Sequence, residues 1–252
     1  QIGKFIMAKT LILIPSRMSA TRLPGKPLLT INNLSIISHV FKKAEEANIG
    51  EVVVATEDKE ILDDVKKNGG RAILTGSNHK TGTDRIFEAY EKLNIKDIDF
   101  ILNLQGDEPN IDKNDIINLN SFMINNNSEI GTLAAEIKND KMLNDQNVVK
   151  VITELKLKKD NFPKALNFTR DSFSKNNQNI YHHIGIYSYK TNILKKFVSL
   201  DQTLSEKQNK LEQLRALDNN LKISVALANF SPIGVDTKED YLAIKKIMEY
   251  KS

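Results

Sequence analysis

The chain of 252 residues carries 36 Lys and Arg against 32 Asp and Glu, 40% hydrophobic residues and no cysteine. It is long enough to bury the core of one large α/β domain or two small ones, and its apolar content excludes a disordered tail. Disulfide and thiolate chemistry are excluded, and the absence of cysteine fits a cytoplasmic protein. The formal charge of +4 and pI near 9.0 raise nucleic acid as a partner. The lysines, however, are spread in pairs such as Lys42-Lys43 and Lys66-Lys67 on predicted helix faces, with no basic stripe interleaved with aromatics. Solvated helix faces and an anionic small-molecule ligand are expected, with no nucleic acid. No apolar run approaches a transmembrane helix, so no membrane insertion is expected. Gln1 to Ile6 are too short and too polar for a signal peptide and read as an addition ahead of a natural start at Met7.

Taken in order, Leu11 to Ile14 is a buried parallel strand by length and composition, ending at Pro15. A long loop follows, with Ser16, Arg17, Ser19, Thr21, Arg22 and Lys26 punctuated by Pro24, Gly25 and Pro27. Helix is predicted over Ile36 to Ala47, strand over Val52 to Ala55, helix over Lys59 to Lys67 with a stop at Asn68-Gly69-Gly70, and strand over Ala72 to Leu74. Arg85 to Leu93 reads as a helix capped by Thr83 or Asp84, and Asp99 to Leu104 as a strand that breaks at Gln105-Gly106-Asp107-Glu108-Pro109. This alternation predicts an α/β fold with a doubly wound, mainly parallel sheet. The second half is less regular: helix over Asp112 to Asn125, strands over Ile130 to Ile137 and Val148 to Thr153, and a charged turn at Lys156 to Asp160. Strand is predicted over His182 to Tyr189, one helix over Thr203 to Leu217, strand over Lys222 to Ala228, and helix over Tyr241 to Met248 behind the start signal Thr237-Lys238-Glu239-Asp240. No repeat or flexible linker interrupts the chain, so a single domain with an elaborated second half is the simplest division.

The first loop is about twice the usual length for a strand-to-helix connection, and it sits where open α/β sheets bind ligands. It offers three cations, hydroxyls and backbone N–H groups, yet neither G-x-x-x-x-G-K-[ST] nor G-x-G-x-x-G is present. A phosphate-binding loop of another class is needed. Asp107, at the tip of the fourth strand, is either an ion-pair partner for those cations or a ligand for a divalent metal held against phosphates. Asp236, in Gly234-Val235-Asp236-Thr237, reads from spacing as a helix N-cap. Glu108 ranks lower, because the next residue on an extended chain points the opposite way. A strand histidine such as His183 is commonly just packed or exposed.

The stretch Pro15-Ser16-Arg17 through Thr21-Arg22-Leu23-Pro24-Gly25-Lys26-Pro27-Leu28 resembles the nucleotide loop of the CMP-KDO synthetases (3-deoxy-D-manno-octulosonate cytidylyltransferases), which are glycosyltransferase-A-like, Rossmann-like nucleotidyltransferases. Q-G-D-E-P at Gln105–Pro109, H-I-G-I-Y at His183–Tyr187 and L-E-Q-L-R at Leu211–Arg215 match the same family in the same order, from about Thr10 to the final helix. The resemblance implies transfer of CMP from CTP to 3-deoxy-D-manno-octulosonate (KDO), a reaction of lipopolysaccharide synthesis, with Mg²⁺ bound by Asp107 and Asp236 and with Thr237 free to cap the helix. It assigns Arg17 and Lys26 to the phosphates with Arg22 assisting, and places Ser19, Thr83, Arg85 and Gln105 in the sugar or nucleotide pocket. Arg170 and His183 become ligands of the sugar acid, and Glu212 and Gln213 ligands of its hydroxyls. Arg215 either joins them or braces its helix through a salt bridge, and Lys150 of Asn147-Val148-Val149-Lys150 either nears substrate or caps a sheet edge. The chain departs from the family after Arg170, reading Asp171-Ser172-Phe173-Ser174-Lys175 where an Ile-Pro is usual. The resemblance further implies a mainly nucleotide-binding part over 7–136, a sugar-binding and dimerisation part over 137–228, and a homodimer.

Competing readings are a CMP-sialate synthetase, an amino-KDO cytidylyltransferase and a non-catalytic nucleotide-binding protein. The last is disfavoured by the presence of both aspartates, and a dinucleotide-dependent oxidoreductase by the missing glycine fingerprint.

Overall fold

A computed structural model describes residues 7–19, 22–173 and 179–250. Its main sheet is built on β1 (Thr10–Ser16), whose side chains are buried over nearly the whole strand. β1 pairs in parallel with β4 (Gly50–Thr56) on one side and with β6 (Phe100–Asn103) on the other. Such strands, covered on both faces, read as continuous apolar runs. The strand does not end at Pro15 as expected. Its pairing with β6 stops at Leu13 while that with β4 continues through Pro15 and Ser16, so Pro15 lies on a stretch paired on one side only, where a residue lacking N–H is tolerated.

Behind β1 come a 3₁₀ turn (Lys26–Leu28) and a small hairpin, β2 (Thr30–Ile31) with β3 (Leu34–Ser35), which the sequence reading missed. Its two-residue loop, Asn32-Asn33, has positive φ at both positions, the geometry that matches strand twist in a tight hairpin. Next are α1 (Ile36–Glu46), α2 (Lys59–Lys67), β5 (Ala72–Leu74) and α3 (Gly82–Leu93), the last capped by Thr81 rather than by Thr83 or Asp84. Thr81 Oγ1 accepts from Asp84 N, and the helix therefore starts three residues earlier than predicted. α4 (Lys113–Asn126) and β7 (Ile130–Ala135) follow, then a short α5 (Asp140–Asn144), β8 (Lys150–Thr153), β9 (Ala165–Thr169) and the long β10 (Ile180–Lys190). The remainder is α6 (Thr191–Ser199), α7 (Leu204–Asn209), α8 (Gln213–Asp218), β11 (Ile223–Leu227) and α9 (Lys238–Tyr250).

The helix expected over Thr203 to Leu217 is in fact two, α7 and α8, because Lys210 takes a left-handed conformation with φ 53°. The turn folds α8 back so that Arg215 reaches Glu206 through two hydrogen bonds of 2.8 and 2.6 Å, both side chains being buried. Burial alone raises the Glu206 carboxyl, but the bonds and charge of Arg215 outweigh it and hold that carboxyl below its usual range. Arg215 thus braces the α7–α8 pair.

Strand order is β5-β4-β1-β6-β10-β7-β11, and β10 alone on this path runs against its neighbours. β8 and β9 extend β10 at its start. One face packs on α3, α6 and α8 through residues such as Ile86, Phe197 and Leu214. The other packs on α1, α2 and α4 through Phe41, Val65 and Leu119. A separate small cluster of Ile31, Ile36, Val235 and Ile244 fastens α9 to the hairpin. The result is three layers, with the chain leading from β1 toward one edge of the sheet and from β6 toward the other, α1 and α4 lying on the same face. Ligands of open α/β sheets bind in the crevice above such a reversal.

Candidate active site

Between the carboxyl ends of β1 and β6 opens a cleft of about 390 Å³. The two strand ends approach so closely that a Cβ on Gly106 would lie 2.9 Å from the Pro15 carbonyl oxygen, so glycine is needed there. The loop after β1 closes on itself through Gly25 N to Met18 O (3.4 Å), with Gly25 left-handed at φ 69°, and Met18 N donates to Asp58 Oδ2 at 2.7 Å. These fastenings turn Arg17, Ser19, Arg22 and Lys26 into the cleft, where Arg85, Gln105, Asp107 and Asp236 also line the wall.

Lys26 stands at its centre. Its side chain is 14% exposed, with Nζ 3.0 Å from Asp107 Oδ2 and 3.4 Å from Asp236 Oδ1, and Arg22 Nη2 lies 3.4 Å from Asp236 Oδ2. Two carboxylates 129 positions apart in the chain therefore meet on one ammonium. Val235 N donates to the Asp107 carbonyl at 2.9 Å, setting Asp236 beside it. Capping of α9 falls to Thr237 and Asp240: Asp240 N donates to Thr237 Oγ1 (3.2 Å), and Asp240 Oδ2 accepts from Thr237 N (2.9 Å) and Asp236 N (3.1 Å). The Asp236 carboxylate is left for the cleft.

Glu108 is not among the residues that line the cleft, in keeping with its lower rank. The chain turns after β6, so strand alternation no longer applies, and the Glu108 carboxyl is buried with Oε2 lacking a hydrogen-bond partner. Burial first, and then the charges of Asp107 and Asp236, push it up to about 8. Among the described residues no group of three or more His, Cys, Asp or Glu is arranged to hold a metal. Two converging carboxylates nevertheless fit a hard divalent cation whose other ligands are phosphate oxygens and waters.

Arg85 and Gln105, on the cleft wall, are held by further contacts, and the remaining predicted residues stand outside it. The buried Arg85 guanidinium is taken up by Thr75 Oγ1 (2.6 Å), Gly76 O (3.1 Å) and Glu57 Oε2 (3.1 Å). Gln105 Nε2 donates to Gly185 O at 2.8 Å. That contact follows from a fold in β10, where two extra residues, Gly185 and Ile186, intervene between the pairs Ile184–Leu133 and Tyr187–Thr132. The fold also sets the His183 and Tyr187 rings 5.4 Å apart, against roughly 13 Å along a straight strand. The Thr132 hydroxyl donates to Ile186 O (2.7 Å), which leaves its oxygen to accept from His183 Nε2 (3.0 Å). Burial lowers the His183 pKa to about 3, with His182 adding to the shift, so the ring is neutral.

Thr83 Oγ1 donates to Glu212 Oε1 at 2.5 Å, and burial raises the Glu212 carboxyl above its usual range, Thr83 offsetting part of it. Gln213 shares with Glu212, Tyr187 and Tyr189 a small cavity of about 30 Å³. Arg170 stands apart from the cleft, its Nη1 lying 3.3 Å from the carbonyls of both Gln146 and Asn147. Lys150 is fully buried and ties that region together, donating to Asp145 O (2.7 Å) and Arg170 O (3.3 Å). The sequence reading missed His79 and Lys80, which line the cleft just ahead of the Thr81-Gly82-Thr83-Asp84 motif. His79 contacts Glu88, whose carboxyl burial would raise but Lys92, His79 and Gly76 N together hold down at about 2.

A doubly wound sheet with a basic loop and two carboxylates at its reversal point defines a nucleotide-handling α/β protein. A UDP-glucose pyrophosphorylase solved with UDP-glucose shares the fold, with a TM-score of 0.71 over 98% of this chain and 100% of its own at 15% identity. Much nearer is a CMP:2-keto-3-deoxy-manno-octonic acid synthetase solved in complex with CTP, with a TM-score of 0.89 and 32% identity over 97% of this chain and all of its own. Residues 11–223 match the family model described as cytidylyltransferase. A 3-deoxy-manno-octulosonate cytidylyltransferase of Thermodesulfovibrio yellowstonii is 43% identical over 256 residues, covering 95% of this chain and 98% of that protein. One of Rhodopseudomonas palustris is 43% identical over 243 residues, covering 96% and 98%. The chain belongs to the cytidylyltransferase family.

Proposed function

We propose that the protein transfers CMP from CTP to KDO, giving CMP-KDO and pyrophosphate. The observation that carries this reading is the meeting of Asp107 and Asp236 on Lys26, inside a cationic cleft at the reversal of the sheet. Relatives named for this activity at 43% identity over nearly the whole chain supply the two substrates. They favour KDO over sialic acid.

In the reaction an acceptor hydroxyl oxygen attacks the α-phosphorus of CTP, and the bond to the bridging oxygen of pyrophosphate breaks. Both reactants are anions, so their approach is opposed by charge until cations offset it. Arg17, Arg22 and Lys26 face the triphosphate from the loop after β1 and supply that offset at fixed positions. Lys26, with Nζ between the two carboxylates at the centre of the cleft, is placed to offset the charge that builds on the leaving group. We assign Asp107 and Asp236 as ligands of Mg²⁺, which when bound neutralises phosphate charge and acidifies the attacking hydroxyl. Gln105, tied to β10 through Gly185, stands between this cleft and the wall carrying Thr83, His183, Glu212 and Gln213, which we assign to the acceptor. His183, neutral and with its Nε2–H given to Thr132, has Nδ1 left as a hydrogen-bond acceptor and contributes no charge. Arg170 suits the acceptor carboxylate by its bidentate geometry, and reaching it requires release from the Gln146 and Asn147 carbonyls.

The proposal extends to a division of labour, with 7–136 mainly serving the nucleotide and 137–228 the acceptor, and to a homodimer through that second part. Leu155 and Leu166, each 58% exposed beside the β8–β9 hairpin, support such a contact. Among the described residues no helix is long and apolar enough to cross a membrane. A cytoplasmic site of action fits an enzyme that consumes CTP. The test is pyrophosphate release from CTP with KDO and Mg²⁺, run beside sialic acid and beside no acceptor. Release with KDO alone supports the reading, and release with sialic acid but not KDO overturns it.

A further inference from the structure

The chain between β11 and α9, residues 228–237, has neither helix nor strand, yet it carries Asp236 to Lys26. It is secured at its start, where Ala228 N donates to Ala134 O (2.8 Å) and Asn229 N to both oxygens of Asp115 (3.0 and 3.2 Å). It is secured again at its end by Val235 N on Asp107 O (2.9 Å). Asn229 and Val235 are six steps apart along the chain, enough for a span of roughly 20 Å when extended, so these fastenings leave the path between them open. Pro232 has no N–H to add a tie. Among the described residues, the hydrogen bond between those fastenings is the one joining Ser231 Oγ to His182 Nδ1, at 2.8 Å.

His182 is itself well placed to be an anchor. It lies in β10 directly opposite Lys150 of β8, and Lys150 is buried with its ammonium held by two backbone carbonyls. Burial first, then that neighbouring charge, lowers the His182 pKa, so the ring meets Ser231 in its neutral form. A side chain rooted in the central sheet thus makes the hydrogen bond that grips the middle of the strap, beside the apolar packing of Ile233 on the Ile31, Ile36 and Ile244 cluster.

We propose that His182 and Ser231 are a positioning pair that sets the path of this strap and so fixes Asp236 opposite Asp107 and Lys26. The proposal rests on the reading that Asp236 serves nucleotidyl transfer. Neither residue touches the cleft, so each acts through Asp236. Displacing a reacting-site group by an ångström costs up to about a hundredfold in rate.

The experiment uses the full chain with four changes: Ser231→Ala, His182→Ala, both together, and His182→Asn, whose amide nitrogen can occupy the place of Nδ1. Three quantities are read: amide hydrogen exchange at Val235, Mn²⁺ affinity with CTP by electron paramagnetic resonance in the absence of acceptor, and kcat and KM for pyrophosphate release. Each alanine variant is expected to exchange Val235 faster, to bind Mn²⁺ about tenfold more weakly and to lose about tenfold in kcat, with KM for the acceptor unchanged. The double variant should be no worse than either single one, since the two side chains make one interaction, and His182→Asn should restore all three quantities. Unchanged exchange and Mn²⁺ affinity in both single variants overturn the proposal, as do losses that multiply in the double variant. A wild-type protein inactive with CTP and KDO would instead defeat the reading of function, while the exchange measurements still decide the path of the strap.

Discussion

At the scale of single residues, the site rests on where charge is permitted. Asp107 is 32% exposed and faces Lys26, so it is available to a cation, whereas the adjacent Glu108 carboxyl is buried and pushed up to about 8. Replacing Asp107 by Asn removes one negative donor at nearly constant shape. Pyrophosphate release should fall by about a thousandfold or more, while circular dichroism and the urea midpoint remain near those of the unaltered chain. Near-normal turnover in that folded variant would remove Asp107 from the mechanism. His183 gives a second prediction through pH. Its native pKa of about 3 lies below the unfolded value near 6.5, so between these the unfolded chain binds the extra proton. The stability contributed by the neutral, buried ring is therefore complete above about pH 6.5 and is lost as pH falls through this window. Urea midpoints at pH 7.5 and 5.0 should differ less in His183→Gln than in the parent, and an equal difference would contradict the assignment. Much of this was legible in sequence: Asp107 falls at a strand end, Lys26 in the loop after β1, and Asp236 in the turn before the last helix. The buried state of Glu108 was not, because it depends on a turn after β6 that strand alternation does not describe.

At the scale of elements, the α7–α8 pair shows how one backbone angle redirects a helix. Lys210 is left-handed, a conformation costing an L-residue about 1 to 2 kcal/mol, and the fold accepts it because the turn brings Arg215 onto Glu206. Lys210→Gly should accordingly raise stability by up to about 1 kcal/mol in urea titration, and a loss of stability would contradict the account of the break. Arg215→Ala leaves the buried Glu206 carboxylate without its partner and should cost about 3 to 5 kcal/mol, measured the same way. An effect below about 1 kcal/mol would mean that the pair does not brace these helices. In sequence, Leu211, Leu214 and Arg215 continue the helical spacing of the residues before them, and lysine is no marker of a left-handed turn, so one long helix was the natural reading. The α2 helix was legible end to end because Asn68-Gly69-Gly70 stops it, with Gly69 at φ 85°. β9 was missed for a different reason: it is a five-residue edge strand with two consecutive exposed positions, Leu166 and Asn167, which break the alternation.

At the scale of the whole molecule, the order of strands decides where chemistry happens. β1 and β6 are neighbours in space, the chain leads from them toward opposite edges of the sheet, and the basic loop and Asp107 border the cleft at their carboxyl ends. The alternating elements of the first half made this parallel arrangement readable before any coordinates. The position of β10 was not readable, since a reversed strand between β6 and β7 gives the same alternating pattern as a parallel one. Yet β10 joins the halves: its fold meets Gln105, its His183 bonds Thr132 of β7, and its His182 grips the strap that carries Asp236. The most direct measurement is the rate of pyrophosphate release from CTP and KDO in the presence of Mg²⁺, compared between the parent chain and Asp236→Asn. The account predicts KDO-dependent release by the parent and its near-complete loss in a folded Asp236→Asn protein, and equal rates in the two would contradict it.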